Sequence, residues 1–229
     1  MENDDFSVGI IMLDTHFPRL VGDIGNRLSF PYPVHFETAQ AATAASVVTR
    51  GEIAKPVIDG FIEAANLLVN KGAKLISTSC GFACAIHEQL QQAISVPLVS
   101  SALNMTPALV QHLDEGQTLL TITFDSTVLN QQHFGQFWSP RVVIQGIETG
   151  KELHDVIKRD KPSLDFHKAK DDVLQAVQTG LLKHPHSKAI LLECTNLPPY
   201  RGYIEDRFNL PVYDIFSALD AARSGTLRL

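Results

Sequence analysis

Two cysteines stand in matched surroundings. Cys80 ends the run Lys74-Leu75-Ile76-Ser77-Thr78-Ser79-Cys80, and Cys194 ends Lys188-Ala189-Ile190-Leu191-Leu192-Glu193-Cys194. A helical pattern follows each, and then a proline at the same separation, Pro97 in one case and Pro211 in the other. A cysteine where a strand gives way to a helix lies at the carboxyl edge of its sheet, the edge at which open α/β sheets place ligands. The free N–H groups of a helix start favour thiolate over thiol and can hold a carboxylate. Two thiols reaching one carbon from opposite faces could move protons without help: one thiolate removes a proton beside a carboxylate, and the other thiol returns one to the far face. Because that carbon is a weak acid, hydrogen bonds to the carboxylate must take up the charge that develops. Ser77, Thr78 and Ser79 before the first cysteine, and Thr195 and Asn196 after the second, supply polar groups at the right edge. Upstream, Asp14 in Met12-Leu13-Asp14-Thr15 is answered by Asp125 in Thr123-Phe124-Asp125-Ser126, and either aspartate could orient the nearer thiol.

The elements that must position these residues can be read from the hydrophobic pattern. Apolar runs of strand length occupy 8–13, 75–79, 98–100, 119–124, 142–146, 189–193 and 212–215. Helical spacing covers 57–70, 82–94, 106–113, 168–182, 200–208 and 216–222. Strands alternating with helices predict an α/β protein with mostly parallel sheets, and the nearly continuous apolar strands fit sheets covered on both faces. The matched landmarks predict two pseudo-symmetric lobes, 1–116 with Cys80 and 117–229 with Cys194. The last helix is free to cross over, and the active site falls in the inter-lobe cleft.

Composition narrows the class. The chain has 229 residues, is 45% hydrophobic and carries a net charge of −6, so it can build a full core and offers no broad basic face for nucleic acid. No apolar run is long enough to span a bilayer, and the acidic opening at 1–5 lacks the basic start of a secretion signal. Three cysteines suit a reducing compartment better than a disulfide framework, which predicts a cytoplasmic location.

These residues resemble the aspartate/glutamate/hydantoin racemase superfamily. The likeness rests on the duplicated halves, Leu13-Asp14-Thr15, Thr78-Ser79-Cys80-Gly81 and Glu193-Cys194-Thr195-Asn196, and it spans roughly 8–222. It implies a cofactor-independent racemase or epimerase of a small carboxylic acid, with Cys80 and Cys194 as catalytic pair and a homodimeric assembly. It also implies that Thr195 contacts the substrate carboxylate and that Asp14 partners a thiol. Thr15, Ser79, Gly81, Phe82, Asp125, Ser126 and Asn196 complete the expected substrate-binding set. Two departures stand out. The amino-acid racemases read Cys-Asn-Thr where this chain has Cys80-Gly81-Phe82, and they carry His or Glu where it has Asn196. The lost Asn and Thr weaken aspartate or glutamate as substrate and leave the two-thiol chemistry in place. A same-fold isomerase, decarboxylase or lyase using one cysteine is therefore an open alternative. A two-lobed binder of small acids, without turnover, is another.

Other residues have plainer readings. Cys84, one helical turn after Cys80, is expected to pack, and a metal site from Cys80, Cys84 and His87 lacks a completing Cys/His pair. No cofactor, metal, nucleic acid or membrane partner is expected. His16 and Arg19 lie near the expected cleft, as an acid or base and a carboxylate anchor respectively. Tyr200 or Arg201 could reach the substrate. Gly22-Asp23-Ile24-Gly25-Asn26 reads as a flexible loop over the cleft mouth, and Lys158-Arg159-Asp160-Lys161 as solvated surface.

Overall fold

The computed structural model describes residues 6–227, so the acidic opening at 1–5 lies outside the described residues. The first sheet contains β1 (Val8–Met12), β2 (Val34–Thr38), β3 (Leu75–Thr78) and β4 (Leu98–Val99), all parallel, in the order β2-β1-β3-β4. The second contains β5 (Thr118–Thr123), β6 (Val142–Gly146), β7 (Ser187–Leu192) and β8 (Val212–Tyr213), again parallel, in the order β6-β5-β7-β8. The two halves thus share one topology. In each, the chain steps outward from its first strand to an edge and then crosses back over that strand. The crossing opens a crevice above the carboxyl ends of the two central strands, β1 and β3 or β5 and β7. Cys80 follows β3 and Cys194 follows β7, so each crevice receives a thiol.

The central strands are buried because helices cover both faces. Val8, Ile10 and Ile11 of β1 are fully buried, as are Leu119, Leu120 and Ile122 of β5 and the run 190–192 of β7. Helix Lys55–Asn70 lays Val57, Phe61, Ala64, Ala65 and Leu68 on the first sheet, begins with Pro56 in its first turn, and stops before Gly72, whose φ of 93° suits glycine. Helix Phe166–Lys183 serves the second sheet, with Val173, Ala176 and Val177 inward.

The structure departs from the hydrophobic pattern at several points. β2 has no counterpart among the predicted strands. It is an edge strand whose His35, Phe36 and Glu37 are only half buried, so it shows neither an apolar run nor clean alternation. The expected helix over 82–94 divides into a 3-10 segment, Gly81–Ile86, and an α-helix, His87–Ala93. The last helix, Ile215–Arg223, packs against β4 and the 3-10 turn Ala102–Met105 of the first half, and the rings of Phe30 and Phe216 meet at 5.4 Å. Among the described residues, no helix is long and apolar enough to cross a membrane, and no group of three His, Cys, Asp or Glu side chains is arranged to hold a metal.

Candidate functional site

Both cysteines open onto one narrow cleft between the halves. Its walls are largely apolar: Leu13, Phe17, Phe82, Phe124 and Ile157 surround the thiols, and Arg19 and Glu193 bring charge. The two cysteine loops are tied directly to each other. The Thr195 hydroxyl donates to the Ser79 carbonyl across the cleft at 2.7 Å, and the Leu13 N–H donates to the Ser79 hydroxyl at 2.9 Å. Ser79 and Thr195 therefore hold Cys80 and Cys194 in register, one from each lobe.

Burial works against the thiolate form of both cysteines. Cys80 is 8% exposed, and burial followed by the nearby Glu193 charge pushes its pKa up to about 12. Backbone hydrogen bonds from Phe82 and Ala83, together with Arg19, pull the other way. Desolvation outweighs the helix-start groups that favour thiolate. Cys194, 7% exposed, is raised well above the ordinary thiol range by burial, then by Glu193, Cys80 and Asp23, against one backbone hydrogen bond from Asn196. Its thiol donates to Asn196 Oδ1 at 3.4 Å.

A polar chain continues from there. Asn196 Nδ2 donates to Asp23 at 2.6 Å, Arg19 pairs with Asp23 at 3.2 Å, and the Arg19 guanidinium donates to the Thr15 hydroxyl at 2.9 Å. The guanidinium also lies 4.3 Å from the Phe17 ring centre. Asp23 is buried and Ile24 fully so, and the loop around them packs into the structure instead of moving over the mouth. Sequence reasoning passed over Asp23 because its glycines suggested freedom.

Glu193 was also passed over. It is fully buried, its Oε2 accepts from the Thr123 hydroxyl at 2.6 Å, and its Oε1 has no hydrogen-bond partner. Burial drives its pKa up to about 7, against the Thr123 bond and a backbone hydrogen bond from Phe124. Standing between an apolar strand and a cysteine, it carried no sequence signal beyond its charge.

The remaining expected residues are placed as follows. Gly81 and Phe82 line the cleft, Phe82 with its ring against His133. Thr15 and Asn196 line it as well. Asp14 is outside the lining, its side chain 61% exposed beside His16. Asp125 turns back to accept from the Thr127 N–H and hydroxyl, and Ser126 bonds to Glu148; neither lines the cleft. Cys84 is buried against Asn104 and Phe134, its thiol pushed up to about 12 chiefly by desolvation. The Tyr200 hydroxyl is buried behind the cleft, and Arg201 pairs with Glu205 and Asp214.

Asp160, in the stretch read as solvated surface, latches the cleft instead. Its carboxylate accepts from the backbone N–H groups of His16, at 2.6 Å, and Phe17, at 2.8 Å, and meets the His16 ring at 2.9 Å. Its φ of 49° is one that glycine also adopts readily. Asp160→Gly is thus expected to keep the turn and free the loop. Hydrogen-exchange mass spectrometry should show the His16 and Phe17 amides exchanging about tenfold faster or more, with β5 and β7 unchanged; unchanged exchange at those amides would show that the latch contributes nothing.

The fold and site thus define a class: a two-lobed α/β chain with one thiol from each lobe in a shared cleft. No family model matches the sequence. Solved structures agree with the class. The chain superposes on unliganded arylmalonate decarboxylase with a TM-score of 0.59 at 18% identity, covering 95% of this chain and 92% of that one. Allantoin racemase from Klebsiella pneumoniae gives 0.61 at 14%, over 97% and 89%. Glutamate racemase from Francisella tularensis in complex with D-glutamate gives 0.58 at 14%, over 98% and 84%. The chain has the fold of the aspartate/glutamate/hydantoin racemase superfamily. By sequence, it is 27% identical over 221 residues to the dimethylsulfoniopropionate lyase of Durusdinium sp. clade D, covering 93% of this chain and 73% of that protein. It is 28% identical over 222 residues to dimethylsulfoniopropionate lyase 3 of Emiliania huxleyi, covering 92% of this chain and 57% of that protein.

Proposed function

We propose that the protein is a lyase that removes a proton beside a carboxylate and expels a β-leaving group, with dimethylsulfoniopropionate as substrate. The observation that carries this reading is the pair of buried thiols facing one small, aromatic-walled cleft. The names of the sequence relatives supply the leaving group. A dimethylsulfonium cation has no N–H or O–H to satisfy. The aromatic lining of Phe17, Phe82 and Phe124 suits it, since aromatic rings attract cations that have left water. Arg19, which lines the same cleft and donates to the Thr15 hydroxyl, offers further guanidinium donors for the carboxylate.

Cys80 serves as the base. Both thiols feel the Glu193 charge, but Cys80 has two backbone N–H donors and Arg19 to stabilise its thiolate, whereas Cys194 has one such donor and also faces Cys80 and Asp23. The thiolate takes the α-proton, the C–H electron pair becomes the carbon–carbon double bond, and the bond to sulfur breaks with its pair. Dimethyl sulfide and acrylate leave, and the proton stays on Cys80 until it returns to solvent. A bound sulfonium draws the thiol toward ionisation, because an opposite charge in a dry site stabilises the anion.

Racemisation is a second reading, favoured by the position of Cys194 on the opposite lobe. Both reactions begin with the same proton. Without a β-leaving group, a carbanion can only be reprotonated, and the Cys194 thiol is placed to do it. The test is a substrate panel in D₂O followed by proton NMR, containing dimethylsulfoniopropionate, the aspartate and glutamate enantiomers, and an arylmalonate. Acrylate from dimethylsulfoniopropionate, at a rate well above the others, is the expected result. Deuterium entering the α-carbon of an amino acid, with no acrylate, would transfer the assignment to the racemase.

A further inference from the structure

Glu193 has no assigned part in the chemistry above, yet it sits at the centre of the site. Its backbone joins β7 to Cys194, and its side chain reaches across to the other cysteine loop. There it fills the space that a side chain on residue 81 would need: a Cβ on Gly81 would lie 2.1 Å from Glu193 Oε1. Thr123 binds Oε2, and Oε1 is left buried with no partner. An unpaired carboxylate oxygen in a desolvated pocket is costly unless the group gives up its charge at some stage. Three thiols feel its charge, Cys80, Cys84 and Cys194, and of these Cys80 and Cys194 share its cleft. Arg19 faces Cys80 and Asp23 faces Cys194, their mutual pair leaving the pocket no net charge from that side.

We propose that Glu193 is the proton-exchange partner of the cleft thiols, so that the pocket carries one negative charge that passes between the carboxylate and sulfur. In the step that arms a thiol, the S–H bond breaks, its electron pair stays on sulfur, and an O–H bond forms on Glu193. The pocket's net charge does not change, and no ion crosses from solvent into a dry site. Resetting after turnover releases the proton from Glu193 to solvent. The inference rests on reading the cleft thiols as proton-transfer groups and is indifferent to the substrate.

A coupled pair of this kind has a distinctive titration. While Glu193 is protonated, the thiolate population rises tenfold per pH unit. Once Glu193 ionises, near pH 7 from its raised pKa, each new thiolate must return a proton to the carboxylate. The population then levels off until both groups can be charged together. Alkylation of Cys80 and Cys194 by iodoacetamide, followed residue by residue with mass spectrometry, reads this directly and uses no substrate. The wild-type profile is expected to plateau above about pH 7, whereas Glu193→Gln is expected to rise without a break. The two should coincide below about pH 6 and diverge by about tenfold per pH unit through the plateau. Thr123→Val keeps the carboxyl but removes the bond that holds its pKa down, so its plateau should begin at higher pH. Profiles that run parallel at all pH, or that are offset by one constant factor as simple loosening would give, overturn the proposal. A missing acrylate product alongside the expected profiles would remove the lyase reading and leave the role of Glu193 standing.

Discussion

Cys80→Ser is expected to lower acrylate formation by about 10³-fold or more, while Cys194→Ser costs about tenfold to a hundredfold. The asymmetry follows from the surroundings of the two sulfurs. Cys80 has N–H donors from Phe82 and Ala83 and the guanidinium of Arg19 near it, so it is the thiol that a bound cation can ionise. Cys194 donates its proton to Asn196 and is surrounded by groups that oppose a second anion. A serine hydroxyl is far less acidic than a thiol and cannot replace Cys80 as base. At Cys194 it can keep the bond to Asn196, so the cleft's shape and the Asn196–Asp23–Arg19 chain survive. Steady-state rates of both variants, with circular dichroism to confirm folding, check this. Equal losses of 10³-fold would indicate that both thiols move protons and would favour the two-base reaction.

Gly81→Ala is expected to damage the protein more than its size suggests. The added carbon would lie 2.1 Å from Glu193 Oε1 and 2.4 Å from the Glu193 carbonyl oxygen, and the second of these is backbone that cannot swing aside. Either the Cys80 loop or the end of β7 must shift, in a region where Cys80, Gly81, Phe82 and Glu193 are all buried. Overpacking of this kind costs about 3 kcal/mol, roughly 6–12 °C in Tm for a chain of this length. Activity should fall further, because the shift separates Cys80 from the cleft. Gly202→Ala is the comparison: nothing lies within 4 Å of the added carbon, and the site is helical, so stability should hold or rise slightly. Thermal unfolding of the two variants decides the matter, and a Gly81→Ala melting point within a degree or so of wild type would mean that the close approach relaxes cheaply.

That close approach also explains a departure visible in the sequence. Where the amino-acid racemases place Asn after the first cysteine, this chain has Gly81, which reads as a grip on the substrate lost. In the structure the space belongs to Glu193 from the other lobe. The two positions are far apart in sequence, and nothing in their spacing links them.

The fold was legible for a physical reason. Strands buried on both faces, such as β5 and β7, read as unbroken apolar runs, and duplicating them doubled every landmark. β2 escaped because beyond Val34 neither face of this edge strand is well buried, so no alternation marks it. In the site, the cysteines were visible because a strand end fixes where the backbone goes. Side-chain direction beyond the strand end was not visible. Asp125 uses its carboxylate to cap its own turn at the Thr127 N–H, a local competition that aspartate commonly wins, and Asp14 turns toward solvent beside His16. Asp23 and Asp160 carry out long-range tasks, holding Asn196 and the 16–17 backbone, from loops whose composition suggested freedom.

The most direct test of thiol-driven elimination compares dimethylsulfoniopropionate with its α-dideuterated form, measured as kcat/KM for acrylate release by the wild-type protein. Clearly slower release from the deuterated substrate is expected, since Cys80 must break that bond for the sulfide to leave. Equal release from both would contradict proton removal by the cleft thiol as the step that commits the substrate to elimination.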